Sequence, residues 1–132
     1  MRYLTRQFAL GALRRGKGIE QFLGGTEVNG ERAVRWVAIS PMNGQYRISL
    51  HTVQDLDDDR AGDLSEFLSL DPADEVYVGE GRELGTSVDE EEAILLAERF
   101  ASAAPDHWVN YAVAGEDYMD YIRNRRDTAQ GA

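Results

Sequence analysis

Five carboxylates with regular spacing make the first candidate site in this chain: Asp55, Asp57, Asp59, Asp63 and Glu66. They match positions one, three, five, nine and twelve of a calcium-binding EF-hand loop, whose oxygen ligands suit a hard cation. The match is partial, because Arg60 replaces the glycine of the sharp turn and Gly62 stands where a β-branched apolar residue is expected. We therefore prefer the interpretation of a solvated acidic turn, and we expect no metal and no cofactor.

The sequence gives weaker support for two other functions, catalysis and phosphate binding. The chain has no cysteine and two histidines, His51 and His107, and no serine lies in a recognisable nucleophile setting, so we predict that it is not an enzyme. His51 could exchange a proton with the acidic loop, although an exposed histidine on a strand usually has no such role. Residues 14–18 combine arginines, a lysine and glycines, but they lack the spacing of a nucleotide loop and read as a basic turn.

Charge is divided unevenly along the chain. Residues 51–122 hold twenty acidic residues and three arginines, a formal charge of −17, whereas the first fifty residues carry +5 and the last ten +2. An acidic field attracts basic proteins and repels phosphate backbones, so direct binding to nucleic acid is not expected. Folding could also bring the basic ends alongside the acidic middle. No apolar run has membrane-spanning length, and a soluble cytoplasmic protein is the default expectation.

The apolar pattern predicts the elements that must position these residues. Residues 3–12 favour a helix over a strand, and residues 17–23 predict a short helix that ends at Gly24 and Gly25. Strands are predicted at 26–28, 33–39, 46–53 and 75–78, with turns at Asn29-Gly30 and at residues 41–44. Ser87 and Glu90 predict the start of a helix that ends before Pro105. Residues 106–111 are predicted to form a strand or a connector, and residues 115–125 a last helix.

This order predicts one α+β domain over residues 1–126, with a disordered tail at 127–132. Its antiparallel sheet of three to five strands should carry helices on one face, and its C-terminal part should be helical. The second strand alternates between apolar residues and Arg47, Ser49 and His51, which indicates one buried and one wet side. Trp36 and Phe100 are assigned to packing, and either Tyr118 or Tyr121 should lie at a surface edge.

Three parts of the sequence resemble a known family: residues 14–24, the central aromatic hairpin, and Trp108-Val109-Asn110 followed by residues 118–121. Together they resemble small immunity proteins of bacterial contact-dependent growth inhibition and related polymorphic toxin systems. The resemblance implies a cytoplasmic antitoxin that binds the toxin domain of an effector, often a nuclease, and blocks its active site or substrate surface.

The acidic middle and the resemblance lead to one hypothesis. A nuclease binds a polyanion through basic residues, so an acidic inhibitor can cover that surface by charge-assisted pairing. The predicted contact residues are Asp55, Asp57, Asp58, Asp59, Asp63, Glu66, Asp74, Glu75, Glu80 and Glu83. The alternative function is an acidic interaction or regulatory module that binds another basic protein without neutralising a toxin.

Overall fold

The computed structural model describes residues 2–60, 62–72 and 81–131, and in this part of the chain five strands form one antiparallel sheet. The strands are β1 (Ile19–Val28), β2 (Glu31–Met42), β3 (Gln45–Gln54), β4 (Arg82–Ser87) and β5 (Val109–Asn110), in the order β4-β3-β2-β1-β5. The helices are α1 (Arg6–Arg14), α2 (Glu90–Phe100) and α3 (Ala114–Gly131), with a 3-10 turn at Leu64–Glu66. The predicted α+β class is confirmed.

The two predicted hairpins are present because local turn chemistry specifies both. Asn29 and Gly30 have φ of 50° and 84°, and Asn43 and Gly44 have φ of 51° and 81°. Two successive positive φ angles define the type I′ turn that joins twisted antiparallel strands, and asparagine and glycine tolerate it best. β2 therefore pairs with β1 through the first turn and with β3 through the second.

The predicted helix at 17–23 is wrong, because these residues begin β1. Ile19 pairs with Ile39, and Gly24 lies at a bulge after Phe22 rather than at a helix end. Ile19 packs in one core cluster and Phe22 against the other. A strand that is buried on both faces can thus show apolar residues at a spacing that resembles one face of a helix.

The helices lie on both faces of the sheet. On one face α1 and α2 enclose a cluster that includes Leu13 and Ile94 with Val37 and Ile39 of β2. On the other face α3 contributes Ala114, Tyr118 and Ile122 to a cluster with Val34, Trp36 and Ala38. Residues 33–39 of β2 are apolar at nearly every position, as expected of a strand with both faces covered. The prediction had placed all helices on one face.

The start and end of α2 differ from the prediction. Asp89 caps the helix, because its side chain accepts a hydrogen bond from the Glu92 backbone N–H at 3.0 Å. Ser87 instead ends β4 and accepts from the Asp89 N–H. The three glutamates of the first turn interact favourably with the positive end of the helix dipole. The helix ends at Phe100, well before Pro105.

Several smaller predictions fall on the same elements. Trp36 is buried as predicted, but Phe100 is 56% exposed and its assignment to the core is wrong. Tyr118 is buried and Tyr121 is half-buried, as the narrow apolar stripe of α3 requires. α3 continues to Gly131, through residues where a tail was expected. The strand predicted at 75–78 lies outside the described residues.

Candidate functional site

The acidic loop (residues 55–60 and 62–66) follows β3 and packs beside α3. Its first carboxylate, Asp55, does not face solvent, since only 1% of its side chain is exposed. Asp55 accepts hydrogen bonds from Arg125 Nη1 at 2.7 Å, from the Tyr118 hydroxyl at 2.8 Å and from the Asp57 backbone N–H at 2.9 Å. The residue predicted as a partner contact is therefore the anchor of the loop.

The pKa values of Asp55 and of Tyr118, which contact each other in a buried position, both differ from their usual values. Burial alone would raise the pKa of Asp55, but the hydrogen bonds from Arg125, Asp57 and Tyr118 outweigh it and hold this pKa below its usual value. Burial, together with the hydrogen bond to Asp55, raises the pKa of Tyr118 to about 12. At neutral pH the loop is thus held by a charged carboxylate, a guanidinium and a protonated phenol.

Arginines of α3 also neutralise two further carboxylates of the loop. Arg125 Nη2 lies 2.6 Å from Asp57, and Arg126 Nη1 lies 3.2 Å from Asp59. Arg123 approaches Asp59 at 3.7 Å. The sequence places these arginines about seventy residues after the loop, and the fold brings them directly against it.

Three carboxylates of the loop remain exposed and make no ion pair with the described residues: Asp58, Asp63 and Glu66, which we call the acidic rim. Asp63 caps the 3-10 turn by accepting from the Ser65 backbone N–H, and Asp58 accepts from the Arg60 N–H. These local bonds fix the backbone at Asp58 and Asp63.

The remaining predicted contact residues lie elsewhere or outside the described part. Glu83, on β4, is 3.2 Å from Arg47 Nε on β3 and is partly neutralised by it. Asp74, Glu75 and Glu80 fall within residues 73–80, outside the described residues.

Basic residues near the start of the chain pair with acidic residues of the helices in the same way. Arg2 binds Asp117 and Asp120, Arg6 binds Glu98 at 2.8 Å, and Arg14 binds Glu90 at 2.6 Å. Together with the arginines of α3, they intersperse positive charge among the carboxylates of the middle segment. The described surface therefore carries both signs of charge, and the acidic rim is one of the places where exposed carboxylates make no ion pair with the described residues.

A cleft of about 330 Å³ opens beside the rim, on the face of the sheet that α3 covers. Its wall includes Glu20 of β1, Trp36 of β2, Ser49 and His51 of β3, Asp63 of the loop and Tyr111. Ser49 Oγ and His51 Nε2 are 2.8 Å apart, and the His51 ring stacks on Trp36 with centroids 3.9 Å apart. His51 is buried, so the prediction of an exposed strand histidine is wrong.

Sequence reasoning missed the most unusual group in the cleft, the carboxylate of Glu20. Glu20 is 4% exposed, and its Oε2 accepts a hydrogen bond from the Ala114 N–H at 3.1 Å. Burial raises its pKa, against the opposing effect of backbone hydrogen bonds from Ala112 and Ala114. In the sequence, Glu20 is a single acidic residue between the apolar residues Ile19 and Phe22, within a segment that was predicted to be a helix.

Comparison with protein-family models, with curated proteins and with solved structures finds no match to this chain. Over residues 2–60, 62–72 and 81–131, no helix combines the length and the apolar character needed to cross a bilayer. Within the same ranges, no three acidic or histidine side chains converge as metal ligands would. The calcium pattern of the loop is broken at its first position, where Asp55 points to Arg125.

Proposed function

We propose that this chain is a cytoplasmic immunity protein that binds a cognate toxin domain, a nuclease, and covers its basic substrate-binding surface. The sequence resemblance of residues 14–24 and 118–121 to immunity proteins motivates the class of function. The exposure of the acidic rim and its lack of ion pairs to the described residues support it as the contact surface, so the proposal rests on these three of the ten predicted contact residues.

One observation carries the proposal: the acidic loop is fixed by one buried carboxylate, and three of its exposed carboxylates make no ion pair with the described residues. Asp55 is held by Arg125 and Tyr118, so the loop is anchored before any partner arrives. Binding by a pre-ordered loop loses less conformational entropy than binding by a mobile one. A fixed set of exposed carboxylates without ion pairs suits a partner with fixed cations.

The mechanism follows from the chemistry of nuclease surfaces. Arginine and lysine side chains that hold a phosphate backbone can pair equally well with carboxylates, and these charge-assisted bonds are stronger than neutral ones. The chain's net charge of −10 steers a basic protein toward it and repels nucleic acid. Since arginines of the same chain neutralise Asp57 and Asp59, affinity should depend on the rim rather than on every acid of the middle segment.

Co-expression with a candidate toxin domain from a neighbouring effector gene tests the proposal, scored by cell survival and co-purification. The test variant changes the rim (Asp58→Asn, Asp63→Asn, Glu66→Gln). The control variant removes the same charge from three other exposed acids without ion pairs among the described residues (Glu27→Gln, Glu31→Gln, Glu92→Gln). We expect the rim variant to lower the association rate roughly tenfold at low salt and to protect poorly, while the control protects like wild type.

Three results would count against the proposal. Equal losses in both variants would mean that only the total charge matters, and full protection by the rim variant would exclude the rim. Tight binding of a basic partner without protection from its toxicity would favour the alternative function, an acidic interaction module.

A further inference from the structure

We propose that the cleft beside the acidic rim receives the guanidinium group of an arginine side chain carried by the partner protein. This inference rests on the proposed function, since it names the chemistry by which the same partner would be held. It is argued from four parts of the cleft: a buried carboxylate, a second carboxylate at the mouth, the remaining charged groups, and aromatic walls.

Glu20 supplies the buried carboxylate. No arginine, lysine or histidine of the described residues forms an ion pair with it, although its side chain is almost fully enclosed. Burying a charge without a counter-charge is costly, so such a group is either paired or has a shifted pKa, as Glu20 does. A guanidinium group beside it would favour the charged carboxylate. A carboxylate has about four acceptor positions, and the backbone donors of Ala112 and Ala114 leave some of them open.

Asp63 places a second negative charge at the mouth of the cleft. It is exposed, and its charge is close enough to Glu20 to raise the pKa of that residue further. Two nearby carboxylates repel each other, and a cation between them relieves this repulsion. A ligand entering the cleft would therefore pass one carboxylate and reach another.

Arg47 and His51, the two side chains of the cleft that can carry a positive charge, do not oppose a cation strongly. Arg47 is held by Glu83 at 3.2 Å, and its Nη2 donates to the Gly81 carbonyl at 3.4 Å, so its charge is directed to β4. His51 is occupied by Ser49 at one ring nitrogen and by stacking on Trp36. The field inside the cleft is thus set mainly by Glu20 and Asp63.

The aromatic walls favour a guanidinium over an ammonium. Guanidinium is planar, stacks on aromatic rings and bonds to a carboxylate through two donors, whereas an ammonium is a point charge. Tyr111, at 68% exposure, is the accessible aromatic ring of the cleft. Trp36 also lines the cleft, but it is buried and stacked on His51.

The experiment is an NMR titration of the intact chain with N-acetyl-arginine methylamide, with the citrulline analogue as an uncharged control of the same shape. The chain has two tryptophans, and their indole N–H signals report on opposite faces of the sheet. We expect the Trp36 signal to shift with arginine and not with citrulline, while the Trp108 signal stays in place. Trp108 is a suitable internal reference because its Nε1 donates to Glu98, away from the cleft.

Substitutions complete the test. Glu20→Gln should weaken arginine binding by about tenfold or more, since a hydrogen bond to a charged group is removed, and Glu27→Gln, on the same strand, should not change it. If Glu20→Gln fails to fold, Asp63→Asn replaces it, because asparagine can still cap the 3-10 turn. Equal shifts with citrulline, or unchanged binding in both cleft variants, would each overturn the inference.

This titration needs no toxin, so its result is separate from that of the protection assay. A Glu20→Gln variant that binds and neutralises the toxin like wild type would overturn the inference and leave the proposed function intact. A toxin that does not bind at all would remove the proposed function, whereas the arginine titration would still report on the cleft.

Discussion

Replacing Arg125 with methionine gives the sharpest test of the structure, because it leaves a buried carboxylate without its counter-charge. Breaking a fully buried ion pair from one side typically costs about 3–5 kcal/mol. Here Asp55 keeps its bonds from Tyr118 and from the Asp57 N–H, and about a quarter of the Arg125 side chain is exposed. We therefore expect Arg125→Met to lower the free energy of unfolding by about 2–3 kcal/mol at pH 7.

Urea denaturation of four proteins measures this effect: wild type, Arg125→Met, Asp55→Asn and the double variant. If the pair is the cause, Arg125→Met should cost less than about 1 kcal/mol once Asp55 is asparagine, because no buried charge is then abandoned. Arg123→Met is the matched control on the same helix, since Arg123 makes only ion pairs at 3.6–3.7 Å and an exposed hydrogen bond to the Asp59 carbonyl oxygen at 3.3 Å. It should cost about 0–1 kcal/mol. An Arg125→Met cost no larger than that of Arg123→Met would refute the reasoning.

Two further predictions concern the same loop. A Cβ at Gly115 would lie 1.7 Å from the Gly62 carbonyl oxygen. Although alanine usually favours a helix, Gly115→Ala should therefore destabilise the protein by about 1–3 kcal/mol in urea denaturation. Gly85→Ala, whose Cβ would meet nothing closer than 3.8 Å, is the control, and a more stable Gly115→Ala protein would contradict the packing. Because the pKa of Asp55 lies below its unfolded value, the stability that it contributes is present above the unfolded pKa of about 3.9 and is lost as the pH falls through the folded pKa. The urea midpoints of wild type and Asp55→Asn should thus converge as the pH falls from 5 toward 3, and a constant difference would show that Asp55 is not held as a charged group.

Local chemistry made part of this fold predictable. The turns at residues 29–30 and 43–44 need positive φ, which asparagine and glycine supply, so both hairpins could be read from the sequence. The acidic start of α2 was equally clear, even though Asp89 rather than Ser87 provides the cap. In each case the deciding interactions join residues that are close in sequence.

Burial on both faces made the rest hard to predict. Periodicity assumes that a strand has one wet side, but Ser49 and His51 lie under α3 and the acidic loop. The same assumption led to the prediction of a helix at the start of β1, so Glu20 was not recognised as a buried acid. Alternation cannot reveal a second covered face when polar side chains line it.

The charges of the candidate site show a similar limit. The sequence indicated that the basic ends could fold alongside the acidic middle, but not which carboxylates they would contact. Arg125 and Asp55 are seventy residues apart, and only the packing of α3 on the sheet brings them together. Three of the ten predicted contact residues pair with arginines of α3 (Asp55, Asp57 and Asp59), while Asp58, Asp63 and Glu66 are exposed without an ion pair to the described residues.

The irregular strand β1 has a consequence for self-association. β5 pairs with it only at Ile19 and Glu20, so the outer side of its later residues has no strand neighbour in the described chain. An open strand edge can template the addition of a strand from another molecule when its backbone groups are regularly spaced. The bulge after Phe22 interrupts the even spacing of amide and carbonyl groups that such growth needs, and the exposed Glu27 adds charge repulsion between copies. The molecule therefore carries its own safeguard against edge-to-edge aggregation.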